Sequence, residues 1–125
     1  MSAFHELREV APIKIWDGVV ARTVGGSEAT LAAIELEPDA VVPEHSHVNE
    51  QTGILLSGSL TFTIAGESRD LQPGSAWVIP AHAPHSVTVG PEGAKIVELF
   101  APPRTDWGGL DRLEPSSDAA LLGLG

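Results

Sequence analysis

The chain has 125 residues, with seven basic side chains against seventeen acidic ones, a formal net charge of −10 and no cysteine. This length supports a core without covalent staples, and the missing cysteines exclude disulfides and thiolate metal sites. The scarcity of Lys and Arg excludes a phosphate-neutralising surface, so no nucleic-acid partner is expected.

In chain order, the first ten residues, MSAFHELREV, lack the apolar segment of a secretory signal, and no apolar run reaches membrane-span length. A soluble, cytoplasmic protein with no membrane partner is therefore expected. Residues 1–29 read as an N-terminal strand arm, where Arg22 shares a strand face with Val20. With so few cations in the chain, Arg22 and Arg104 stand out as anchors for an anionic small-molecule substrate. TLAAIELE, 30–37, puts Ala32, Ile34 and Leu36 on one face and Ala33, Glu35 and Glu37 on the other.

HSHVNEQ follows at 45–51. Read as a strand, His45, His47, Asn49 and Gln51 share one face, while Glu50 points the other way. Two imidazoles at this spacing can converge on a cation, with another pair downstream in AHAPH at 81–85. A bulge between 47 and 51 would reverse the register and bring Glu50 inward instead.

SLTFTIA, 59–65, is the clearest strand, with Leu60, Phe62 and Ile64 on one face, and AGES at 65–68 reads as a hairpin turn. SAWVIP, HSVTV and AKIVELF continue the series. Thirteen glycines and ten prolines punctuate these runs, giving an all-β chain whose edges favour a sandwich or barrel. Residues 106–125 read as a tail, and SSDAALLGLG within it has capping residues but two glycines. His5, near the terminus, is expected to play no part.

The run PDAVVPEHSHVNEQTGILLSG followed by PGSAWVIPAHAPH resembles the two motifs of the cupin family, G-x5-H-x-H-x3,4-E-x6-G and G-x5-P-x-G-x2-H-x3-N. The resemblance covers about residues 30–105. It implies a single cupin domain over 1–125, a jelly-roll β-barrel of two antiparallel sheets, with one divalent metal bound inside. His45 and His47 match the first-motif histidines, Gln51 falls where Glu is usual, and Gly58 matches the closing glycine. Gly74, Pro80 and His85 match the second motif, so His85 completes the implied ligand set. Asp39 and His82 stand at motif glycines, and Asp and His are among the residues that tolerate positive φ. Val89 replaces the final Asn. His82 is read first as a turn residue, with a ligand, substrate contact or proton shuttle as the alternatives.

Three imidazoles and an amide form a neutral ligand set, leaving a divalent charge uncompensated and favouring Lewis acidity. Such ligands suit Zn, Fe, Ni or Cu, and Mn is common among cupins. HSH..EQ together with IVELFAPPRTDW is similar to the KdgF-like small cupins of uronate metabolism, which help open 4,5-unsaturated uronates to the linear keto form. Their Asp-x-Phe-x3-Arg pattern matches Glu98, Phe100 and Arg104 here, with an acid one methylene longer. The resemblance implies Glu98 as general acid or base, Arg104 as partner of a substrate carboxylate and Phe100 as an apolar wall, with Arg22 a second anion contact. Family habit also suggests a homodimer. A metal-dependent dioxygenase of the quercetinase type, and a non-catalytic sugar- or metal-binding module, are the competing functions.

Overall fold

Alternation of apolar and polar side chains decides which face of each strand turns inward, and eight strands follow it: β1 (Ile13–Trp16), β2 (Val19–Gly25), β3 (Thr30–Leu36), β4 (Val41–His45), β5 (Glu50–Ile64), β6 (Glu67–Leu71), β7 (Ala76–Ile79) and β8 (His85–Ala101). The computed structural model describes residues 2–110, so the SSDAALLGLG segment lies outside the described residues. Helical structure among them is limited to two 3₁₀ turns, Leu7–Glu9 and Asp106–Gly109. No helix among them is long and apolar enough to cross a membrane.

All pairings are antiparallel, in the order β1-β2-β3-β8-β5-β6, with β4 also on β8 and β7 also on β5. The expected all-β jelly roll is thus observed, with one difference. HSVTV and AKIVELF are not separate strands but the two ends of β8. Its first half pairs with β4 and the far end of β5, its second half with β3 and the near end of β5. The glycines between them mark a bend and close contacts rather than a turn. Gly58 and Gly93 have φ of 83° and 77°, and a Cβ on Gly58 would lie 1.9 Å from the Gly93 carbonyl oxygen.

Inside the barrel, register stacks side chains in cross-strand rows. Ile13, Ala21, Ile34, Ile96 and Leu55 form one row, all nearly inaccessible to water. Each large member of such a row contributes about 1.5–3 kcal/mol by burial, so this level is an apolar layer of the interior. The next row runs Thr23, Ala32, Glu98, Gly53 and Trp77. Beyond it come Thr30, Phe100, Gln51 and Ile79. Polar side chains therefore enter the interior together, at one end of the barrel. On the outer face of the same strands, Leu31, Ile54, Val78 and Leu99 are exposed.

Turn chemistry matches the sequence reading in three places. Ala65 and Gly66 join β5 to β6 with φ of 48° and 86°, both central positions of a two-residue hairpin loop being left-handed. Asp39 and His82 have φ of 62° and 67°, the conformation glycine would supply at those motif positions.

Candidate metal centre and active site

His45 and His47 do not share a strand. β4 ends at His45, the chain bends through 46–49, and β5 begins at Glu50. Continuous strand parity is therefore not what aligns them; across the bend the His47 ring lies 5.8 Å from that of His45 and 4.9 Å from that of His85, centroid to centroid. Gln51 faces inward because β5 carries it in register with Phe100 and Ile79, and Glu50 is exposed. His85, the first residue of β8, pairs directly with His45.

Each ring has its Nδ1 against a backbone carbonyl: His45 on Pro43 at 2.8 Å, His47 on Asn49 at 2.9 Å and His85 on Ala83 at 2.9 Å. A carbonyl accepts, so each Nδ1 carries the proton and each Nε2 presents a lone pair. One ligand atom from each ring lies within 4.8 Å of those of the others. The buried Nε2 of His85 has no partner among the described residues. Burial lowers the His85 imidazole to about 4, and burial with the nearby Arg104 charge lowers His47. Both rings are thus held neutral, the form a metal needs.

Gln51 sharpens this test. Its Nε2 donates to Glu98 Oε2, which also receives the Trp77 indole N–H at 2.8 Å. Its Oε1 is thereby turned to His47 Nε2, 3.0 Å away. Two lone pairs then face each other, an arrangement that calls for a proton or a cation between them. With His47 biased against protonation, a cation fits. The three-histidine cluster thus fits a divalent metal, which would supply Lewis acidity toward a substrate oxygen.

Glu98 is 4 % exposed, and burial pushes its carboxyl up to about 7, against the downward pull of the Gln51 and Trp77 hydrogen bonds and of Arg104. Although the imidazole and amide groups are neutral, a titratable carboxylate stands directly behind the amide.

Arg104 follows the Pro102-Pro103 pair at the cavity rim. Its Nε and Nη2 form a fork onto Asp106 at 2.9 and 2.8 Å, and its guanidinium lies over the rings of Phe100 and Trp107, 4.9 and 4.3 Å from their centroids. Its backbone N–H donates to Thr30 Oγ1 at 3.0 Å. The Asn49 side chain holds the same segment, donating to the carbonyls of Pro102 and Pro103. His45, Gln51, His85, Glu98, Phe100 and Arg104 all line one cavity of about 220 Å³, whose inner end is Ile34, Leu36, Val42, Val87 and Ile96. That is below the roughly 300–1,000 Å³ of drug-sized ligand sites, so its occupant is small.

The cupin-domain family matches residues 32–100. The chain is a cupin. It is 25 % identical over 96 residues to the pectin degradation protein KdgF of Dickeya dadantii, covering 75 % of this chain and 87 % of that protein. The structure of KdgF from Halomonas sp. superposes with a TM-score of 0.76 at 25 % identity, over 85 % of this chain and 98 % of that one. Oxalate decarboxylase of Bacillus subtilis shares the fold, with a TM-score of 0.69 at 24 % identity over 78 % of this chain and 28 % of the longer one.

Two expected contacts of this cupin are corrected. Arg22 is buried, but it lies in the outer-face row beside Ala33 and pairs with Glu35 at 2.5 Å. The side-chain alternation that buries Ala21 inside turns Arg22 away from the cavity. His82 is exposed and outside the cavity lining; it sits in a turn with φ of 67°, where its backbone N–H donates to the His47 carbonyl at 2.7 Å. Asn49, Trp77, Asp106 and Trp107 were not read as site residues from sequence. Alternation alone puts Trp77 on the inner face with Ile79. Its reach to Glu98 depends on Gly53 opposite, which only strand pairing reveals.

Proposed function

We propose that this cupin is a divalent-metal-dependent enzyme that opens the ring of a small unsaturated uronate without redox change, with His45, His47, His85 and Gln51 as metal ligands. The observation that carries the reading is that Glu98, Phe100 and Arg104 line the same small cavity as His45 and His85. Kinship with KdgF, a pectin degradation protein by name, favours a sugar acid.

The chain's residues then divide the work. Phe100 and Trp107 form an apolar wall and stiffen the guanidinium. Among the described residues Arg104 has Nη1 left for a substrate carboxylate, because Asp106 holds the other edge of its fork. Among the described residues Glu98 carries both of its hydrogen bonds on Oε2, leaving Oε1 to take and return a proton. In net terms the anomeric hydroxyl loses a proton, the bond from the anomeric carbon to the ring oxygen breaks, and the C4–C5 double bond gains a proton at C4 as C5 becomes a ketone. Nothing is added or lost, so Glu98 need only move a proton between two positions.

The test follows the absorbance of the conjugated enol of a 4,5-unsaturated uronate, with metal content and oxygen uptake measured alongside. Wild type should consume the chromophore well above the spontaneous rate without oxygen uptake, and Glu98→Ala and Arg104→Ala should each lose most of that acceleration. A wild-type rate equal to the spontaneous one removes the uronate reading. Oxygen consumption would point to the dioxygenase. Active Glu98→Ala and Arg104→Ala variants would overturn the residue roles.

The proposal includes a homodimer packed through the outer sheet face. Leu31, Ile54, Val78 and Leu99 are exposed there on a molecule of net charge −10, so a second copy can approach over this apolar area with less charge repulsion than over an acidic one. Sedimentation should give a dimer that Val78→Asp dissociates; a monomeric wild type removes this part.

A further inference from the structure

We propose that Trp77 and Gly53 are positioning residues that fix which end of the Gln51 amide meets the metal. The inference rests on the metal centre proposed above, but not on the identity of the substrate.

Trp77, Gly53 and Glu98 occupy one cross-strand row on β7, β5 and β8. Glycine is the middle member, and its missing side chain is what lets the row work. A Cβ on Gly53 would lie 2.6 Å from Cε2, Cζ2 and Nε1 of the Trp77 indole. These are rigid ring atoms, so any side chain at 53 displaces the indole. Across the bare backbone, the indole reaches over β5 and donates to Glu98 Oε2 at 2.8 Å. The ring is also held from its other side by Phe62, with centroids 5.0 Å apart.

An indole N–H can only donate. It therefore holds Glu98 Oε2 as an acceptor, and that same oxygen takes the Gln51 Nε2–H. The amide has two unlike ends, so fixing its nitrogen on Glu98 commits its oxygen to the histidine side, against His47 Nε2. Without the indole, the Glu98 side chain is free to turn away and the Gln51 amide to rotate by half a turn. Its NH₂ would then face the histidines, where it can bind no cation. Groups behind a ligand that set its orientation typically change metal affinity by about 10–100-fold.

The experiment places 3-benzothienylalanine at position 77, which keeps the shape of the indole but has sulfur in place of N–H, and in parallel makes Gly53→Ala. Affinity for Ni²⁺ and Zn²⁺ is measured by chelator competition. Melting of the metal-free proteins and the ¹⁵N-resolved side-chain amide signals of Gln51 report on fold and amide orientation. The expected result is metal affinity about tenfold or more weaker in both variants and a shifted Gln51 amide signal. The metal-free benzothienylalanine protein should melt as wild type does. Affinity within twofold of wild type for the benzothienylalanine protein overturns the inference, whatever Gly53→Ala does. Should wild type prove inactive on the uronate while its metal affinity depends on the indole N–H, the proposed reaction fails and this inference stands. Should wild type be active and its metal affinity indifferent to the N–H, the reverse holds.

Discussion

At the scale of single residues, Asn49 joins two parts of the site that the sequence keeps far apart. Its backbone carbonyl takes the His47 Nδ1 proton, while its side-chain amide holds the carbonyls of Pro102 and Pro103, just before Arg104. These two duties can be separated, because Asn49→Ala deletes the second and keeps the first. The variant should bind Ni²⁺ within about threefold of wild type, by the same chelator competition. Its kcat/KM on the uronate should fall about 100-fold, the loss expected when a positioned group shifts by about 1 Å. Equal loss of both quantities would mean that the Asn49 amide supports the histidines themselves. That His45, Gln51, His85, Glu98, Phe100 and Arg104 gather around one cavity was legible in the sequence, because their spacing resembles known motifs. Arg22 was not, since a scarce cation beside a core strand looks the same whether it turns in or out.

At the scale of elements, β5 and β8 show where sequence reading stops. Alternation identified SLTFTIA, HSVTV and AKIVELF correctly as extended chain. Yet the glycines around 58 and at 90–93 look like turns to any local rule. Their physical role is close approach: a Cβ on Gly90 would lie 2.0 Å from Ser59 Oγ, so two long strands cross there without either ending. That proximity exists only after pairing and leaves no local signature. Likewise, strand parity in HSHVNEQ gave the right inward residue, Gln51, by a wrong route, since the chain leaves one strand and enters another between His45 and Gln51. The hairpin between β5 and β6 was legible, and it carries a local conflict. Ala65 is exposed and left-handed, with φ of 48°, where a Cβ costs about 1–2 kcal/mol and Asn is better tolerated. Ala65→Asn should therefore stabilise the fold by about 1 kcal/mol and raise Tm by about 4 °C, read by thermal unfolding. An unchanged or lower Tm would show that the loop relaxes at no cost.

At the scale of the whole molecule, the barrel gathers its polar interior at one end, while its surface carries a net charge of −10. The guanidinium at the rim is already paired. The Arg104 side chain is 9 % exposed and its partner Asp106 is 61 % exposed, so the face that solvent meets first is the carboxylate. The consequence concerns encounter rather than binding. A distant anion feels the summed negative field and is repelled until it is close enough to touch Nη1, the reverse of electrostatic steering. Raising salt from about 10 mM to 150 mM shortens the screening length from about 30 Å to about 8 Å. KM for an anionic substrate should therefore fall across that range, which steady-state kinetics at graded ionic strength would register. A KM that climbs with salt would mean the rim attracts after all. If it falls, the acidity of this protein selects by reach, admitting only those anions that diffuse into direct contact.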